Sequence, residues 1–142
     1  MKFSAPKSVA AAFTATAILA GSVMAVGASA ASADSAADNI GFLYVASLQD
    51  FNVYINNRVV GGTEWQANGD TLVAKDIRSD GYRIEAYLGT SPVRKASTAG
   101  HNAPYAAKVG GNLPENRIYT YWACVAKSGS SLICSDVHRV ES

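Results

Sequence analysis

Charge is sparse in this chain, and what there is nearly cancels. Lys, Arg, Asp and Glu make up 16 % of the 142 residues, with 12 basic against 11 acidic side chains. No field of one sign is available to gather phosphate backbones or anionic lipid, so nucleic acid is not an expected partner. Histidine is limited to His101 and His138, and neither a Gly-x-Ser-x-Gly elbow nor a His-Glu-x-x-His pair occurs. No catalytic residue, metal ligand or cofactor site is expected. Helical periodicity is missing as well, and there are no internal repeats.

The one long apolar run lies at the start. Lys2 and Lys7 give a positive segment, Ser8 to Gly27 carries no charge, and Ala28-Ser29-Ala30 and Ala31-Ser32-Ala33 offer two small-x-small exits before Asp34. That order reads as a secretory signal peptide over 1–33, cut after Ala33. A membrane helix is the competing reading, since the run approaches the ~20 residues that span a bilayer. Its Ala, Ser, Thr and Gly content is only weakly apolar, and the small-residue exit favours cleavage. No cysteine sits at the exit to carry lipid, and no hydrophobic tail follows Leu113-Pro114-Glu115-Asn116 as a wall-sorting signal needs. A secreted, extracellular protein free of the membrane after cleavage is expected. Removing 1–33 leaves 109 residues and takes away two lysines, so the released chain has a charge of about −1.

Residues 34–39 read as a small, polar, mobile leader, and 40–142 as one domain. Apolar residues then recur with period two, the spacing of half-buried strands. Phe42 to Ala46 is a first strand; Phe51, Val53 and Ile55 mark a second. Asn56-Asn57 is a turn, Arg58-Val59-Val60 begins a return, and Gly61-Gly62 is expected to break it. Asn68-Gly69-Asp70 and Ser79-Asp80-Gly81 bracket a strand from Thr71 to Ile77. Tyr82, Ile84, Ala86 and Leu88 alternate with Arg83, Glu85 and Tyr87 in the clearest strand of the chain. Val93 to Val109 reads as a short strand, a surface loop and another short strand. Short strands with frequent turns point to a sandwich or barrel.

Both cysteines fall in the last hairpin, Ile118–Ala126 and Leu132–Val140 around Lys127-Ser128-Gly129-Ser130-Ser131. Two thiols in an exported chain pair. With Cys124 opposite Cys134, one face sets Tyr121 against Val137, Ala123 against Ser135 and Val125 against Ile133. The other sets Thr120 against His138 and Trp122 against Asp136, with the disulfide on this mixed outer face; a bulge would shift the register. Ser135, His138 and Asp136 do not make a catalytic triad there, because Ser135 points to the opposite face.

Leu113 and Tyr119, with Pro114 between, resemble the tyrosine corner of immunoglobulin-like and fibronectin-type domains. That resemblance implies that Tyr119, Tyr121, Ala123 and Val125 point inward, the face also chosen from the cysteines. The Cys, Trp and Cys pattern bridging two sheets is absent. Val53 through Gly61 is similar to the hairpin of PEGA-type surface repeats. Gly69-Asp70-Thr71-Leu72, Asp80-Gly81-Tyr82, Ala86-Tyr87-Leu88 and Leu113 through Cys124 resemble small exported β-proteins of actinobacteria. This last likeness implies a fold and an extracellular address but no activity. The expected fold is all-β, an immunoglobulin-like antiparallel β-sandwich with one hairpin disulfide.

Trp122, Asp136, His138 and Thr120 are the candidate ligand-binding residues, since an exposed indole beside polar groups suits a sugar ring or a protein surface. Asp70, Asp76 and Asp80 are too dispersed for a calcium loop and read as turn and cap residues. The expected function is a non-enzymatic binding module for an extracellular protein or glycan. A protease inhibitor acting through the locally basic 91–108 segment, with Arg94, Lys95 and Lys108, is the alternative.

Overall fold

The computed structural model describes residues 37–142; the expected signal peptide 1–33 and the first residues of the expected leader lie outside them. All regular structure among the described residues is strand. In chain order these are β1 (Ile40–Val45), β2 (Asp50–Ile55), β3 (Arg58–Gln66), β4 (Thr71–Asp76), β5 (Tyr82–Leu88), β6 (Arg94–Ser97), β7 (Tyr105–Val109), β8 (Ile118–Lys127), β9 (Ile133–Cys134) and β10 (His138–Glu141). They form two antiparallel sheets, β1-β2-β3-β4-β7 and β10-β8-β5-β6, with β9 also paired to β8. The all-β, two-sheet expectation holds. The order itself is a four-strand meander, whereas an immunoglobulin domain places its third strand in the second sheet.

Turn chemistry sets the connections. Asn56 and Asn57 both adopt positive φ, 50° and 62°, the backbone a two-residue hairpin needs to match strand twist. Asp76 and Asp80 each accept an amide two residues on, from Arg78 and Tyr82, and so fix the β4–β5 corner. Asp70 accepts the Leu113 amide at 2.6 Å and ties the 110–113 segment to the start of β4. Turn and cap roles thus account for these three acids.

Gly61-Gly62 does not end a strand. β3 runs through both, with a bulge opposite Val53/Tyr54. A Cβ on Gly61 would lie 2.2 Å from the Lys75 carbonyl oxygen, and one on Gly62 2.3 Å from that of Phe51. The glycines admit close neighbours on either side, which is why the strand continues there.

The core lies between the sheets. Phe51, Val53, Ile55, Val60, Trp65, Leu72 and Ala74 meet Ile84, Ala86, Leu88, Ala96, Tyr121, Ala123, Val125 and Val140. Leu72, Ile84 and Leu88 are fully buried, each contributing on the order of 2 kcal/mol. Two polar bonds cross this layer. The hydroxyls of Tyr121 and Thr63 lie 2.6 Å apart, and the Trp65 indole donates to the Glu141 carbonyl at 2.9 Å. Leu113 and Tyr119 pack, partly buried, against the cluster.

The leader's end is tied down. Asp38 pairs with Lys127 at 2.8 Å and accepts bonds from Tyr82 and Asn56. The expected mobility therefore does not extend to Asp38 and Asn39.

The final hairpin has the expected disulfide, Cys124 to Cys134, with these two residues opposite each other. Beyond them the register changes. His138 lies opposite Tyr121, Arg139 opposite Thr120 and Val140 opposite Tyr119, one residue out of step with the cysteine pair. The strand is interrupted at 135–137. There the Ser135 hydroxyl accepts the Ala123 amide at 3.1 Å, standing in for a ladder carbonyl. The uninterrupted strand Leu132–Val140 is thus corrected to two pieces around a bulge.

Candidate functional site

Sheet β10-β8-β5-β6 turns alternate residues outward. β5 contributes Arg83, Glu85 and Tyr87, and β8 contributes Thr120, Trp122, Cys124 and Ala126. β6 adds Lys95 and Ser97. The register places Tyr87 directly between Lys95 and Trp122, and Glu85 directly between Ser97 and Cys124. Two rows result, one aromatic and one built around a carboxylate.

In the aromatic row, the Tyr87 and Trp122 rings are parallel within 2°, their centroids 5.3 Å apart. The Lys95 ammonium lies 5.9 Å from the Tyr87 centroid. An offset parallel stack is a favoured aromatic geometry, and a cation over the ring adds to it. On its far side Trp122 has no strand partner, because β9 ends at Cys134 and β10 begins at His138. The half-buried indole borders that break.

Glu85 anchors the second row at 3 % exposure. It accepts bonds from Arg83 at 2.9 Å, from Ser97 at 3.3 Å and from the Tyr87 hydroxyl, with Lys95 at 3.8 Å. Burial pushes its carboxyl up, but the bonds from Tyr87 and Arg83 and the neighbouring cations outweigh that and hold it below its ordinary value. Burial and the Glu85 bond together push the Tyr87 hydroxyl up to about 12. Both groups keep fixed protonation states near neutrality, and the carboxylate locks the Tyr87 ring on which Trp122 stacks.

The four sequence candidates separate. Trp122 and Thr120 occupy the outer face. Asp136 is exposed but sits in the break, unpaired with Trp122. His138 is a correction: the one-residue shift turns it toward the sandwich interior, stacked on Tyr44 at 3.9 Å and edge-on to Phe51 at 5.3 Å. The partner that flanks Trp122 is Tyr87, which Glu85 and Lys95 in turn support. The outward phase of Tyr87 and Glu85 was readable in the β5 alternation, whereas the adjacency of β5 to β8 is a property of topology.

Two further clefts, of about 460 and 500 Å³, open around the β4–β5 corner and share Arg78, Ser79 and Tyr82. Neither includes Trp122. On the other sheet, Asp50 and Glu64 face each other across β2 and β3. Glu64 is occupied by Gln66 and Lys75. The 91–108 segment includes β6 and most of β7, joined by a loop over 98–104, and Arg94 donates to the carbonyls of Asp70 and Gly111.

Compared with known proteins, the chain matches no family profile, no curated protein and no solved structure.

Proposed function

We propose that this chain is a secreted, non-enzymatic binding module whose outer face around Trp122 engages an extracellular glycan or protein. The observation that carries the reading is the Tyr87–Trp122 stack, parallel and braced by Glu85, with the indole bordering an interruption in the neighbouring strand. A braced aromatic pair loses little side-chain entropy on contact and offers a large apolar area with polar groups at its edge. Lys95, Thr120 and Asp136 supply those edges. A part-exposed indole on a sheet face suits a sugar chain or a protein surface better than an enclosed small molecule.

The test is a glycan array and a culture-medium pull-down, run with wild type and with Trp122→Ala checked for retained fold by circular dichroism. Binding that wild type shows and the variant loses supports the reading. Undiminished capture of every ligand by the variant removes the platform from consideration.

A further inference from the structure

Four strand edges bound the two sheets: β1 and β7 on one, β6 and the β9–β10 side on the other. Exposed edges carry unpaired backbone groups, and proteins blunt them with charge, proline or bulges. Three of these edges are blunted. β7 carries Lys108 and follows Pro104, β6 carries Arg94 and Lys95 and follows Pro92, and β10 carries Arg139 and Glu141 and is parted from β9. β1, Ile40-Gly41-Phe42-Leu43-Tyr44-Val45, has no Asp, Glu, Lys or Arg, no proline and no register shift against β2.

The phase of its free groups is fixed by the first hairpin. The Asn56 amide donates to the Asn39 carbonyl, so Asn39 and alternate residues after it aim their backbone at β2. Ile40, Phe42 and Tyr44 therefore aim theirs at the open edge, and β1 pairs with no other strand among the described residues. We infer that β1 is a self-pairing edge: two copies of this chain join antiparallel about a two-fold axis at Phe42, making one continuous sheet.

This register, and no neighbouring one, uses all the free groups. Phe42 pairs with Phe42 of the copy, and Ile40 with its Tyr44, each exchanging bonds. On the outer face Leu43, 52 % exposed, meets Gly41 of the copy. A Cβ at Gly41 would have only the Tyr54 Cβ as neighbour, at 3.9 Å, so its own fold leaves that place open. Charge agrees with the pairing. Asp38, already held by Lys127, lies opposite the copy's Ala46, and no like charges meet. The contact is isologous and closed, which yields a dimer rather than a fibre.

The experiment is sedimentation velocity on protein purified after expression of the full-length chain, over a wide concentration range. Wild type is expected to dimerise. Gly41→Lys with Leu43→Lys sets lysine against lysine twice across the axis, and the dimer dissociation constant should rise about tenfold or more. Gly41→Lys with Leu43→Glu sets opposite charges in the same places and should restore it. Hydrogen exchange on wild type gives a readout independent of any variant: the Ile40, Phe42 and Tyr44 amides should gain protection with concentration. A wild type that stays monomeric, a dimer indifferent to the lysine pair, or edge amides unprotected in the dimer would each overturn the proposal.

Discussion

Ser135 holds Ala123 from both sides: its amide donates to the Ala123 carbonyl at 2.8 Å, and its hydroxyl accepts the Ala123 amide at 3.1 Å. One residue thereby completes a ladder position while the following chain leaves the sheet. This small exchange decides which residues face the core beyond it. Ser135→Ala leaves the buried Ala123 amide without its partner. The expected loss is about 1–3 kcal/mol, measured by urea denaturation. An unchanged midpoint would show that the hydroxyl is not needed at the break.

The Tyr121–Thr63 pair is the second test. Tyr121→Phe or Thr63→Val alone strands a hydroxyl inside the core and should cost about 1–2 kcal/mol each. The double variant removes both polar groups and should cost less than the sum of the singles, because no buried donor is left unmet. Strict additivity in the cycle would mean that the 2.6 Å contact carries no coupling.

Much of the architecture is legible in the sequence. The Asn56-Asn57 turn, the Thr71 and Tyr82 strands, the cysteine pair and the inward Tyr121, Ala123 and Val125 all follow from period-two spacing and turn residues. Three features are not. Gly61-Gly62 looks like punctuation, but its meaning depends on carbonyl oxygens of the two flanking strands. Trp65 lies beyond those glycines, where the alternation is interrupted, so its burial was hidden. The bulge at 135–137 depends on a serine hydroxyl replacing a carbonyl, and no apolar pattern records it. From that bulge comes the inward turn of His138, one of the four expected site residues.

Acid behaviour separates two carboxyls of opposite shift. Burial, aided by the charge of Asp80, raises Asp76 above its ordinary 3.8 against the opposing Arg78 amide. For a raised folded value, the group's stabilising contribution is fully present below 3.8 and is lost as pH rises through the folded value. Asp76→Asn should therefore raise the denaturation midpoint at pH 7, with the advantage fading as both proteins reach acid. Glu85 has the opposite sign. Its carboxyl is held low, so its contribution is present at neutral pH and is lost as pH falls through that depressed value. Stability curves for the two variants, Asp76→Asn and Glu85→Gln, should diverge accordingly.

Tyr87 provides an alkaline readout of the bracing. Among the tyrosines that ionise late, ultraviolet titration should place Tyr87 at about 12, against an ordinary 10.0. Glu85→Gln removes the charged acceptor but not the burial, so this transition should move down while staying above the ordinary value. Stability due to the neutral hydroxyl is present below 10.0 and is lost as pH rises through about 12. A titration unaffected by the substitution would mean that Glu85 does not hold the ring.

The most direct test of the binding account is a nuclear magnetic resonance titration of the labelled protein with whichever glycan or protein the array or pull-down yields. The account predicts that the Trp122 indole N–H and the amides of Tyr87, Lys95 and Thr120 shift together, while those of Tyr44 and the inward-facing His138 stay in place. Shifts confined to the clefts around Arg78 and Ser79, with the Trp122 indole unmoved, would contradict it.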